Sequence, residues 1–469
     1  MTDRLPKSVL VAGAILGLLI LAYAAFSRPW YFTSQTYLGG LLLLEFLVVA
    51  LWLYRHVYFP VVIVSFILAG VDLPVGAFWT ALRWVFLAVG AFAGFFIVLK
   101  ERGHHFGLFH AVALFSVLFA LVSAAVSRYP SVALLKVLSL FLLFFYGATG
   151  ARLAVIGREK RFFNGLLIGC EIFVAVVGVL HLAGVEAMGS ANSLGAVMGV
   201  VCAPLLLWGV LLGDEPFVQR RRWVLYVACM FLAFMSHARA GLAAALLSSG
   251  LLCLALRKYK LAIEGSIVIL IVVAATAIFQ PEVITSLFSS VVYKGGDQEL
   301  GVLASRKSPW RAAVDNIHDH PWFGTGLGTT ANGADVEEET RKFSSSMNVT
   351  AENGSSYLAI LSGVGVFGVL PFALLLILLL GMVFRTLNWM RKYGIAAHPA
   401  VPLAMVIVAG LAHAGFEDWL FAPGYYVCVF FWSLAFVLAD VAPGRVSGLA
   451  PRWHAKPTRQ PVGAVAPSQ

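Results

Sequence analysis

The chain alternates between long apolar runs and short polar connections, most of them basic. The apolar runs fall at about 8–26, 38–54, 57–70, 81–99, 108–126, 132–148, 163–183, 193–212, 223–237, 240–256, 261–279, 356–384, 400–414 and 425–440. An apolar run of this kind crosses a hydrocarbon core of roughly 30 Å as a helix. A barrel strand would instead alternate polar and apolar residues, and these runs do not. The pattern predicts an all-α polytopic membrane protein with about 12–14 transmembrane helices. The run at 57–70 is short and also fits a re-entrant segment. The first run, Ser8 to Phe26, follows Arg4 and Lys7. It meets Arg28-Pro29-Trp30 with no small-residue cleavage site, so it reads as a span and not as a signal peptide.

One polar stretch, 280–355, is far longer than the other connections, and loops of that length are usually functional. Within it, Trp310, Ala313, Val314 and Ile317 recur at helical spacing, which predicts an amphipathic helix over Ser308 to His318 with Pro309 near its start. The chain thus divides into an N-terminal transmembrane bundle (1–279), a partly helical loop (280–355), C-terminal transmembrane helices (356–440) and a Pro-, Ala- and Arg-rich tail (441–469) expected to be disordered.

Basic residues set the expected orientation. Counting from a cytoplasmic N-terminus, the inside connections hold Arg55-His56, Lys100 to His105, Arg152 to Arg161, Arg220 to Arg222, Arg257 to Lys260 and Arg385 to Lys392. The short outside connections hold only Arg28, Arg128 and Arg239. By the positive-inside rule both termini are cytoplasmic and 280–355 is outside.

Composition agrees. Hydrophobic residues make up 60% and charged residues 12% of the chain, against about 25% charged in soluble domains. The net charge of +10 is spread between spans and not gathered on one face, which argues against nucleic-acid binding. Cys170, Cys202, Cys229, Cys253 and Cys428 all fall in spans without a CxxC pair, so they read as small buried hydrophobes.

The candidate chemistry collects on the outer side. Arg239 lies in the turn Ser236-His237-Ala238-Arg239, where an arginine either snorkels as an anchor or binds an anion. Arg306 opens Arg306-Lys307-Ser308-Pro309-Trp310-Arg311 at a helix N-terminus that favours anions; the plainer alternative is a solvated loop arginine. Gly324-Thr325-Gly326-Leu327-Gly328 follows His320-Pro321-Trp322-Phe323; no strand–turn–helix unit surrounds it, so it signals tight turning and not a dinucleotide loop. His318, Asp319 and His320 are adjacent and point apart, which disfavours a metal site. Glu352-Asn353-Gly354-Ser355-Ser356-Tyr357 closes the loop, where a carboxylate is either a general base or part of a helix cap. His413, Glu417 and Asp418 end the thirteenth span beside Trp419, as functional groups or as an interfacial turn.

In order and placement these pieces resemble the O-antigen ligase and Wzy-type polymerase superfamily across about residues 190–440. They are an arginine in a turn between two late spans, a large loop with Arg-x-x-x-Trp-Arg and Pro-x-x-Gly-x-Gly-x-Gly, and a Tyr-Leu opening of the next span with Gly363, Gly365 and Gly368 inside it. The resemblance implies a membrane glycosyltransferase of the C type in the bacterial inner membrane. It would transfer a glycan from an undecaprenyl-pyrophosphate carrier to an acceptor on the periplasmic face, in O-antigen, lipopolysaccharide or exopolysaccharide assembly. The acceptor is a lipid A core for a ligase and another lipid-linked repeat for a polymerase. No metal, cofactor or nucleic acid is implied. Membrane lipids surround the protein, and other polysaccharide-assembly proteins are possible partners.

Residue by residue, Arg239 and Arg306 match the family's pyrophosphate-binding arginines, with Ala238 in place of a serine. The ligases' histidine at the loop's end is absent; Glu352-Asn353 stands there. That favours a polymerase and leaves the base open between Glu352 and Glu417. Asn353, Tyr357, Arg311, His413 and Asp418 are supporting candidates. A lipid-linked-glycan flippase is the rival from another class; it would show an internal repeat and charges deep in the spans, and neither is evident.

Overall fold

The computed structural model describes residues 54–70, 76–100, 106–185, 188, 190–213, 215–267, 304–329 and 354–444. These residues form helices with no strand among them. In chain order they are α1 (Tyr58–Gly70), α2 (Gly76–Lys100), α3 (Leu108–Val126), α4 (Pro130–Val155), α5 (Glu159–Leu182), α6 (Asn192–Leu211), α7 (Pro216–Met235), α8 (Arg239–Ala255), α9 (Ala304–Asp319), α10 (Ser356–Tyr393), α11 (Ala400–Ala414) and α12 (Tyr426–Val441). Each apolar run expected between 57 and 256 and between 356 and 440 has its helix. The runs at 8–26 and 38–54, apart from Tyr54, and most of 261–279 lie outside the described residues, as does most of the tail.

Six of these helices are long and apolar enough to cross a membrane, and α1, α8, α11 and α12 are shorter apolar helices. The protein is an all-α, multi-pass membrane protein. Burial follows from that solvent. α6 and α12 are buried along nearly their whole length, whereas most of α5 is not buried. Exposed Val179 and Leu182 on α5 and Ile377 and Phe384 on α10 belong to surfaces too apolar for water and suited to lipid.

Local sequence explains the helix limits. Pro130 and Pro216 occupy first helical positions, where a missing N–H costs nothing. α4 and α6 each contain a π turn, at Gly147–Ala151 and Val197–Cys202. The second lies beside the α6–α8 crossing, where a β-carbon on Gly199 would fall 2.1 Å from the Gly241 carbonyl oxygen. Small residues permit this backbone approach, and it fixes the start of α8.

Two basic clusters depart from expectation. Arg152 is not in a connection: it is 1% exposed inside α4 and binds both carboxylate oxygens of Asp440 on α12. Arg221 and Arg222 lie in α7, where both grip Glu171 of α5, and Arg222 also donates to the Gly209 carbonyl. Charges buried this way need partners, and these ion pairs supply them. The five cysteines are buried and free.

The loop helix also differs. α9 begins at Ala304, four residues before the expected start, so Pro309 lies inside it. Ala313 is fully buried while Val314 is 53% exposed, so Val314 leaves the predicted apolar face.

Candidate active site

The chain after α9 docks onto a break in α10. Gly365 has φ 68° and ψ −177°, a conformation that interrupts the helical ladder. The carbonyls of Ser362 and Gly363 accept from the backbone N–H groups of Thr325 and Gly326, at 3.0 and 2.8 Å. Val366 and Phe367 in turn donate to the carbonyls of Pro321 and Trp322, at 2.8 and 3.2 Å. Inside a membrane protein such groups must be satisfied internally, and the two glycine-rich motifs satisfy each other. Ser123 of α3 donates to the carbonyls of Phe323 and Gly363, Ser127 to that of Thr325, and Lys136 of α4 to that of Gly328. The glycine run is therefore an anchor for α9.

This anchor brings α9 against the start of α10 and the segment before α12. Trp310 donates its indole N–H to the Gly354 carbonyl at 3.2 Å. Arg306, third residue of α9, forms an ion pair with Glu417. Their side chains are 13% and 18% exposed, so the pair is partly shielded yet reachable. The Glu417 carbonyl accepts from both the N–H (3.1 Å) and the hydroxyl (2.6 Å) of Ser356, and the Ser356 oxygen accepts from the N–H groups of Trp419 and Leu420. Ser356 thus ties the first residue of α10 to the 417–420 turn.

Arg239 is the first residue of α8 and lies within electrostatic reach of Arg306, so the two cations repel. His413 also feels the Arg306 charge. Its Nδ1 accepts the Trp419 indole N–H at 2.7 Å, so a proton on that nitrogen is excluded and the buried ring is a neutral brace for the turn. The Tyr357 hydroxyl donates to the Leu411 carbonyl at 2.7 Å. Asp418 is half-buried, and Arg311 is exposed on α9. Glu352 and Asn353 lie outside the described residues. His318, Asp319 and His320 are exposed, and among the described residues no three His, Cys, Asp or Glu side chains gather to hold a metal ion.

Of the sequence candidates, the fold brings Arg239, Arg306, His413 and Glu417 together. Three residues were missed. Ser356 looked like a cap and is a three-way tie. Arg83, near the start of α2, is 2% exposed, donates to the Gly424 carbonyl at 2.9 Å and lies over the Phe66 and Trp84 rings. A lone arginine within an apolar run was the signal for it. His237 adopts φ 52°, and its buried Nδ1 has no hydrogen-bond partner.

Residues 224–373 match the O-antigen ligase family. The O-antigen ligase segment takes in Arg239, Arg306, Trp310, the glycine-rich anchor and the break at Gly365; Glu417 lies beyond it. The match supports the superfamily resemblance carried by those motifs. No curated protein matches the chain.

Proposed function

We propose that this protein is a membrane glycosyltransferase that moves a glycan from an undecaprenyl-pyrophosphate carrier to an acceptor hydroxyl, acting as a polymerase of lipid-linked repeats. The observation that carries this reading is the pair of neighbouring cations, Arg239 and Arg306, each in the first turn of its helix within the O-antigen ligase segment. Arg306 already has the Glu417 carboxylate beside it, and a diphosphate carries charge enough to engage both guanidiniums.

In the proposed step the acceptor oxygen bonds to the anomeric carbon from the face opposite the pyrophosphate. The bond from that carbon to the pyrophosphate oxygen breaks with inversion. The leaving group gathers negative charge, which Arg239 and Arg306 stabilise without a metal. A carboxylate takes the hydroxyl proton. Glu352 and Glu417 are the two candidates. In the described state Glu417 already has an oxygen engaged by Arg306, which favours Glu352. The missing ligase histidine favours polymerisation over transfer to a lipid A core. The same reading places the protein in the bacterial inner membrane with both termini cytoplasmic and 280–355 as a periplasmic lid over the site.

Deleting the gene and analysing the cell's polysaccharides tests this. The expected result is loss of long chains while single repeats still reach their acceptor. Unattached long chains would instead indicate a ligase, and repeats stranded on the cytoplasmic face a flippase.

A further inference from the structure

The start of α6 and the start of α12 meet beside the arginine site and bring a chain of hydroxyl groups together. Ser190 donates to the Ser193 hydroxyl at 2.8 Å. Ser193 hydrogen-bonds both Tyr425 and Tyr426, whose own hydroxyls are 3.4 Å apart. Ser190 is exposed, Ser193 and Tyr425 are half-buried, and Tyr426 is buried. The chain of hydroxyls thus runs from the surface into the bundle.

Its place relative to the cations is fixed from two directions. Towards Arg239, Gly195 packs so tightly on the 236–241 turn that a β-carbon there would fall 2.1 Å from that of Ala238. Ser193 lies on the same turn of α6 as that contact. Towards Arg306, the Tyr425 hydroxyl is within electrostatic reach of the Glu417 carboxylate, which pairs with Arg306. The Tyr425 backbone has little freedom. Arg83 holds the preceding carbonyl, and the Tyr425 N–H donates to the Ala422 carbonyl at 2.9 Å. Ser193 and Tyr425 therefore adjoin the arginine site on both sides.

We propose that Ser193 and Tyr425 form a sugar subsite, which hydrogen-bonds hydroxyls of the sugar linked to the carrier's pyrophosphate and sets which glycan is accepted. This rests on the assignment of Arg239 and Arg306 to that pyrophosphate. The sugar is joined directly to the diphosphate, so it lies beside whatever cations hold those phosphates. Sugar hydroxyls both donate and accept. Serine and tyrosine hydroxyls do the same, and each rotates to suit its partner. A site built on such bonds discriminates strongly, because a sugar without the matching hydroxyl leaves a shielded polar group unpaired. The two arginines fall within the O-antigen ligase segment, and Ser193 and Tyr425 fall outside it. That division suits the chemistry: the diphosphate is common to all such carriers, and the glycan is what varies.

The test measures the affinity of the purified full-length protein, in phosphatidylcholine nanodiscs, for two probes. One is bare undecaprenyl pyrophosphate; the other is the lipid-linked repeat extracted from cells lacking the gene. The ratio of the two affinities reads the glycan's own contribution, and wild type is expected to bind the repeat-bearing carrier tighter. Tyr425→Phe and Ser193→Ala should each cut that ratio roughly fivefold, the worth of one hydrogen bond, and leave binding of the bare carrier unchanged. Tyr426→Phe touches the same network from its buried end and should leave the ratio at the wild-type value. The proposal is wrong if the ratio holds in both variants, if they weaken both carriers equally, or if Tyr426→Phe lowers the ratio as much as Tyr425→Phe does. Arg306→Ala tests the underlying assignment separately. It should lose both carriers, whereas undiminished binding of the bare carrier overturns the arginine site itself, whatever the ratio shows.

Discussion

The Trp322 carbonyl lies where a β-carbon on Gly365 would have to go, 2.4 Å from the ideal position. This contact closes the joint between the loop and the broken helix, because the same carbonyl accepts the Phe367 N–H at 3.2 Å. Gly365→Ala would add about 1–3 kcal/mol of backbone strain to a clash with main chain that cannot move aside. Gly328 is also left-handed, but there a β-carbon meets the flexible Lys136 side chain at 2.4 Å. We expect Gly365→Ala to lower the melting temperature in detergent much more than Gly328→Ala, and to expose the 304–329 region to proteolysis. Equal effects would mean that the joint does not hold the loop.

Arg152 and Asp440 form a buried pair at the end of the bundle away from the site. Removing one partner strands a charge and should cost roughly 3–5 kcal/mol, while a matched apolar pair should be close to neutral. Arg152→Met and Asp440→Leu are each expected to reduce folded yield sharply, and the double variant to recover most of it. Glycan transfer per folded molecule should stay the same in all three. A double variant no better than either single one would show that the pair does more than neutralise itself.

How much of this was legible in the sequence depends on distance along the chain. The apolar runs were readable because lipid requires each span to satisfy its own backbone, so the information is local. Arg152 was misread as part of a connection because its partner lies 288 residues away, and a basic residue after an apolar run looks like a loop. Both glycine motifs were visible, yet nothing local shows that Gly326 and Gly363 bond to each other. Arg306 and Glu417 were each singled out, but their pairing across 111 residues was not, so Glu417 read as a rival base and not as the arginine's partner. Glu352 lies outside the described residues.

Arg83 ties α2 to the segment that carries Glu417. Its guanidinium lies near the faces of the Phe66 and Trp84 rings and reaches the Gly424 carbonyl, a combination of cation–π contact and directed donation that lysine does not reproduce. Arg83→Lys keeps the charge and should loosen the 415–425 segment. We expect kcat to fall several-fold with a smaller change in donor KM, since the arginine pair itself is untouched. A normal kcat in a stably folded Arg83→Lys protein would show that the guanidinium serves only packing.

His237 and Arg257 occupy matching positions after α7 and α8, two residues past the last helical one, with φ of 52° and 56°. Both end a helix in the left-handed conformation that glycine adopts freely and other residues at about 1–2 kcal/mol. Glycine gives back about 0.5–1 kcal/mol of that through its looser unfolded chain. His237→Gly and Arg257→Gly should therefore each be neutral or stabilise by up to about 1 kcal/mol. The His237 Nδ1 has no partner to lose, which removes one source of cost there. The measurement is the melting temperature of both variants beside wild type. A clear drop for His237→Gly with none for Arg257→Gly would mean that the imidazole holds the turn leading into Arg239 through its ring. The left-handed histidine would then be kept for the arginine's position, and terminating α7 would be incidental.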